Sequence, residues 1–172
     1  MSKMKIFFLI FTIFAIFTIF AIEIYSVQNS FYAEVIKVAD GDTITVKKES
    51  GEKIRIRLYG IDSPELKQET GAEAQKFTEK FLLNKIIKVE VKDKDRYGRL
   101  VADIYIKDVL FNTEIIKNGY AWYFRKYLKN SIEMEKLEKE AQKHKRGLWR
   151  NSSPIPPWEF RTKERGGANG IF

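Results

Sequence analysis

Lys53-Ile-Arg-Ile-Arg-Leu-Tyr59 alternates apolar and basic residues, the period-two signature of a strand with one face against a core. On its N-terminal side, Ser50-Gly51 reads as a turn and Thr43 to Lys48 as a hairpin partner. Asp40-Gly-Asp42 is a further turn, because Asp and Gly tolerate turn conformations, and Phe31 to Ala39 is the strand before it. On the C-terminal side, Ile86 to Val91 and Leu100 to Ile106 are two more strands, separated by a turn over Asp93–Arg99. Three helices complete the pattern. Thr70-Gly-Ala-Glu73 has the form of a capping box opening a helix that runs to Asn84, with Ala74, Phe77 and Phe81 on one face. Asn112 to Asn118 is a short helix that Gly119 stops. Ser131 to Lys145 is the last, with Met134, Leu137, Ala141 and Leu148 as its buried stripe and His144 packed on that side. Five strands with three helices predict an α+β chain, mainly β, folded as a small closed barrel of the oligonucleotide-binding (OB) type.

That domain is expected over residues 27–150. Residues 151–172, with Pro154, Pro156, Pro157 and Gly166-Gly167, are expected to be an extended tail loosening towards Phe172. Residues 1–26 stand apart. Lys3 and Lys5 precede an apolar run from Ile6 to Ile22 broken only by Thr12 and Thr18, the form of an export signal or an N-terminal membrane anchor. The run is longer than a signal core of about 7–15 residues and shorter than a spanning helix of about 20. Ile24-Tyr-Ser26 is the candidate cleavage stretch. Both readings put the domain outside the cytoplasm, secreted, periplasmic or attached to a membrane through residues 6–22, and as a monomer.

The net charge is +8, and +7 without Lys3, Lys5 and Glu23. A basic domain attracts polyanions, so nucleic acid is the natural partner. There is no cysteine and one histidine. Disulfides, thiol nucleophiles, Cys-ligated zinc and any mechanism with two imidazoles are excluded. Chemistry must come from carboxylates, guanidiniums, hydroxyls and a metal.

Candidates for that chemistry lie at strand ends. Asp42 and Asp62 can converge from neighbouring strands, and two acids forced close call for a cation. Oxygen-only ligands select calcium or magnesium, with calcium favoured where water has room. Ser63 can add its main-chain carbonyl. Glu65, aimed by Pro64, can accept a proton from a water attacking phosphorus. Arg57 and Arg99 can grip phosphate oxygens in a fork. The plain alternatives are turn aspartates, a solvated glutamate and solvated arginines, which Arg55 and Arg96 illustrate. Trp122, Tyr123, Phe124 and Tyr127, interleaved with Arg125 and Lys126, are either base-stacking or core.

From about Phe31 to Trp149 the chain resembles the staphylococcal nuclease-like, or thermonuclease, family. The likeness rests on Asp40-Gly-Asp-Thr43, Arg57-Leu-Tyr-Gly-Ile-Asp-Ser-Pro-Glu65 and Asp95-Arg-Tyr-Gly-Arg99, in that order. It implies a calcium-dependent nuclease acting on DNA and RNA, nearly indifferent to sequence and leaving 3′-phosphates. By motif position it implies Asp42, Asp62 and Ser63 at the metal, and Arg57, Glu65 and Arg99 as the catalytic residues. Tyr127 falls where the family has a tyrosine near the base, and Arg125 where it has another; with Arg96 these are the candidate substrate contacts. The rival reading is a non-catalytic nucleic-acid-binding barrel, which has no use for three acids beside a polyanion. A lipid-surface protein is a third, but no basic amphipathic segment supports it.

Overall fold

The computed structural model describes residues 10–18 and 29–168, and the chain divides after Phe31 into two units. In the first, residues 10–18 form a helix, α1. Ile10, Phe11, Ile13, Phe14, Ile16 and Phe17 are all exposed on it. Among the described residues no helix is long and apolar enough to cross a membrane. The remainder of the apolar run and the cleavage stretch at Ile24–Ser26 lie outside the described residues.

The second unit is the barrel. Strands β1 (Ser30–Val38), β2 (Thr43–Lys47) and β3 (Lys53–Leu58) form the antiparallel meander, with Thr43 opposite Arg57. A two-residue strand β4 (Ile61–Asp62) follows, then helix α2 (Gly71–Leu82), β5 (Ile86–Lys94) and β6 (Leu100–Ile106). Closure comes from β3 pairing in parallel with β6, Arg57 beside Val101. The sheet thus runs β3-β2-β1-β5-β6 and returns to β3. A short β7 (Val109–Leu110) extends β6 and leads into α3 (Phe111–Lys117); β8 (Trp122–Tyr123) pairs with β4; α4 (Ile132–Lys143) follows. Alternation is kept as the side-chain period requires. Ile56 and Leu58 are buried with Val35, Ile44, Val46, Val89 and Ile104, while Arg55 is exposed and Arg57 half-buried on the other face.

Polar ties lock the closure. The buried Asn112 amide donates to the Tyr59 and Ala102 carbonyls and accepts from the Ile104 N–H. Buried Glu138 on α4 accepts from the Tyr123 N–H at 2.9 Å and from Arg125. Phe77, Phe81, Phe111 and Tyr120 form one ring cluster at centroid separations of 4.7 to 6.1 Å.

Three expectations are corrected. The capping box does not form. Thr70 sits in turn geometry (φ −105, ψ 6) with no side-chain cap bond. The chain enters α2 through successive tight turns, and Glu73 is drawn to Arg150 instead. His144 is exposed at the end of α4 rather than packed, because the helix stops at Lys143 and Leu148 is buried from a following 3-10 turn, Gly147–Arg150. The tail is not extended: Pro157–Ala168 is a helix, α5. Proline suits a first helical position, where no N–H is needed. Trp158 then seats against Phe124 and Trp122, at 5.4 and 6.3 Å.

Candidate active site

Asp42 lies in the turn before β2. Its N–H is held by the Asp40 carboxylate, and its carbonyl accepts from Leu58 at the end of β3. Gly41 allows the turn to approach, since a Cβ there would lie 2.7 Å from the Ser63 side chain. Asp62 lies on β4, fixed opposite Trp122. Both aspartates are buried, at 2% and 0% exposure, and Arg57 from β3 joins them. Its Nη1 donates to Asp42 Oδ1 at 2.7 Å and its Nη2 to Asp62 Oδ1 at 2.5 Å. The expected convergence of Asp42, Asp62 and Arg57 is therefore present, with one guanidinium spanning both acids.

Ser63 meets Asp42 through its main chain, its N–H donating to Oδ2 at 2.7 Å. Its hydroxyl is buried with no hydrogen-bond partner among the described residues. Glu65 is partly open, and its N–H donates to the Gln68 side chain. A Cβ on Gly71 would fall 1.9 Å from the Glu65 carbonyl oxygen, so glycine there lets α2 pack against this loop.

Arg99 stands one link away. Its Nε donates to Asp95 Oδ2 at 2.7 Å and its Nη1 to Thr43 Oγ1 at 3.4 Å, while the Thr43 hydroxyl donates to Asp42 Oδ1. Arg96 lies over Tyr97 and donates to its hydroxyl. Tyr127 is exposed, packed on Phe124. Arg125, expected to face substrate, is bound to Glu138 and lies 4.5 Å above the Tyr123 ring. Its side chain nonetheless stays 52% exposed.

Arg161, on α5, went unread in the sequence. Its Nη2 donates to Asp62 Oδ2 and its Nη1 to Glu65 Oε1, both at 2.7 Å, with Nη1 also 3.3 Å from Asp62 Oδ1. The stretch that carries it has a readable signal, Pro157 opening a helix with Trp158, Arg161 and Glu164 three residues apart.

Burial dominates the electrostatics. It pushes the Asp42 carboxyl up to about 6 against the attraction of Arg57, with Asp40 adding to the rise. Burial and then Asp42 raise Asp62 as well, against its bonds to Arg161 and Arg57. Arg57 is held above the ordinary arginine range by the two acids, which outweigh its own burial. Among the described residues no group of three or more acids and histidines is arranged to hold a metal ion. The carboxylate oxygens that meet there belong to Asp42 and Asp62, both tied to Arg57. In a chelated sample, the stability associated with the Asp42 proton is present below about pH 4 and lost as pH rises through about 6. An Asp42→Asn variant should therefore gain on the unaltered chain in thermal melts from pH 4 to 7, by a few kcal/mol at most. Parallel melting curves would contradict the raised value.

The geometry now meets known proteins. A family model described as "Staphylococcal nuclease homologue" matches residues 55–151. "Probable staphylococcal-like nuclease CAN3" of Oryza sativa subsp. japonica is 41% identical over 113 residues, 66% of this chain and 30% of that protein. "Staphylococcal-like nuclease CAN1" of Arabidopsis thaliana is 45% identical over 115 residues, covering 67% of this chain and 35% of that protein. The chain thus spans about a third of these plant relatives. A protein named "Uncharacterized endonuclease" from Escherichia coli O157:H7 is 35% identical over 134 residues, 77% of this chain and 86% of its own length. The family match takes in Arg57, Asp62, Ser63, Glu65 and Arg99, and leaves Asp42 and Arg161 on either side. On a match to more than half its length, and a bacterial relative covered almost end to end, the chain belongs to the staphylococcal nuclease homologue family.

Proposed function

We propose that this chain is an exported, calcium-dependent nuclease that hydrolyses DNA and RNA with little sequence preference and leaves 3′-phosphate ends. The observation that carries the reading is the Arg57 bridge between two buried aspartates, with Glu65 joined to the same group. Asp40, Asp42, Asp62 and Glu65 bring four negative charges, and Arg57 and Arg161 return two. The remaining double negative charge and the oxygen-only donors suit a hard divalent cation. Asp42, Asp62 and the Ser63 carbonyl would hold Ca2+, which when bound supplies positive charge against the charge gathering at phosphorus.

The chain's own groups account for the rest. Arg57 and Arg99 present guanidiniums to the phosphate oxygens, each prepositioned by an acid, so little reorganisation is needed as charge develops. Glu65 takes the proton of the attacking water as its oxygen bonds to phosphorus. The bond to the 5′ oxygen breaks, and that oxygen takes a proton from solvent. Tyr127, exposed, offers a face for a base, and Arg96 on its turn offers charge to the backbone. Arg125, paired with Glu138 yet half exposed, offers a further charge to the backbone. Export rests on Lys3, Lys5 and the apolar run after them.

The purified chain should degrade single-stranded DNA with calcium, stop when chelator is added, and yield fragments that phosphatase can trim at their 3′ ends. Tight binding of DNA without cleavage in any metal would favour the non-catalytic barrel.

A further inference from the structure

We propose that Arg161 is a positioning residue of the active site, delivered by α5 to fix Glu65 at a set distance from Asp62. This rests on the nuclease reading above and extends it to a residue outside the family-matched segment. One planar guanidinium spans the two carboxylates, donating to Asp62 Oδ2 and Glu65 Oε1 at 2.7 Å each. The Asp62 side chain is fully buried, whereas the Glu65 side chain is 37% exposed. The contact therefore ties a solvent-facing carboxylate to one enclosed by the fold.

The helix is built to hold this geometry. Trp158, one turn before Arg161, is seated on Phe124 and Trp122. Glu164, about one turn after it, pairs with Lys67 at 3.5 Å. Residues three apart share a helix face, so Trp158 anchors the face that carries Arg161, while the exposed Glu164–Lys67 pair adds little. Between the barrel and α5 the strap is pinned again, by Asn151 to Glu69 and by Gln68 to the Ile155 carbonyl, at 2.9 and 2.8 Å. Gln68 also receives the Glu65 N–H. Backbone and side chain of Glu65 are thus both referred to the C-terminal segment.

Arg161 does not exhaust the acids. Among the described residues, Asp42 Oδ2 accepts one bond, from the Ser63 N–H, and Asp62 Oδ2 accepts one, from Arg161. A carboxylate oxygen has two lone pairs, so each retains one for a cation while Arg161 stays in place.

The test compares Arg161→Ala and Arg161→Lys with the unaltered full chain, measuring kcat and KM at saturating calcium, calcium affinity by calorimetry, and Tm. For Arg161→Ala, kcat falls about 10- to 100-fold, as expected for a reacting group displaced by about an ångström. KM stays nearly constant because the loss is confined to the transition state. Calcium binds as tightly or more tightly, since a positive charge beside Asp62 is gone, and Tm at saturating calcium changes little because Asp62 keeps its bond to Arg57. Arg161→Lys keeps wild-type calcium affinity yet stays below wild-type kcat, because an ammonium cannot span both acids in a planar fork.

Unchanged or higher kcat with tighter calcium would overturn the proposal and make Arg161 a counter-ion that calcium evicts. A parallel fall in kcat and Tm in both variants would also overturn it, leaving α5 as a brace of the fold. An unaltered chain that neither binds calcium nor cleaves would remove the nuclease reading itself, and this inference with it.

Discussion

Glu65→Gln lowers kcat by about two to four orders of magnitude, the range for loss of a positioned general base, while Tm stays close to that of the unaltered chain. The stability half follows from exposure and partners. The Glu65 side chain is 37% exposed, and among the described residues its carboxylate is held by Arg161. Glutamine has the same length and still offers an oxygen to that guanidinium, so the loop geometry survives. The rate half follows from protonation, because an amide cannot take the proton of an attacking water. A KM near the wild-type value would place the loss in the transition state rather than in binding. Single-turnover rates on single-stranded DNA, with thermal melts of both proteins, decide the matter. A fall of less than about tenfold would deny Glu65 the role of base.

Much of the domain was legible because the information is local. The meander announced itself through the alternation of Lys53 to Tyr59, and β2, β3 and β6 begin where expected or end within one residue of it. Acids at strand ends beside glycine and proline read as a site, and Asp42, Arg57 and Asp62 do meet. What was not legible depends on distant partners. The parallel pairing of β3 with β6 joins segments more than 40 residues apart, and no periodicity reports it. The capping box failed because Glu73 had a better partner in Arg150, 77 residues further on. Arg161 lies 99 residues from Asp62, in a stretch whose prolines suggested an extended chain. There Pro157 starts a helix instead, and the three-residue spacing of Trp158, Arg161 and Glu164 was the available clue. Arg125 likewise has a partner that no local pattern reports, buried Glu138, while half of its own side chain stays exposed.

Arg57→Ala should be the most disruptive single change at the site, for stability as well as rate. The guanidinium is mostly buried and bridges two carboxylates with 3% and 0% side-chain exposure. Removing one partner of a buried ion pair leaves uncompensated charge, at a cost of about 3–5 kcal/mol. Here two acids are affected, and Arg161 reaches only Asp62 of the pair. The sign of the pH dependence follows. Arg57 is the leading influence lowering Asp42, so its loss drives that carboxyl above its present value of about 6. The variant then holds a proton there more tightly folded than unfolded, so it is most stable in acid and weakens as pH rises through the raised value. Urea unfolding in chelator should therefore show a larger deficit at pH 7 than at pH 5. Calcium should restore part of it at pH 7 if the cation is held by these acids, because a ligand bound only by the folded state adds stability by mass action. Arg57→Lys should recover some stability through its charge but little activity, since the ammonium cannot reproduce the fork to both aspartates. A deficit below about 1 kcal/mol, or one that is the same at both pH values, would mean the two aspartates do not depend on Arg57 for their proximity.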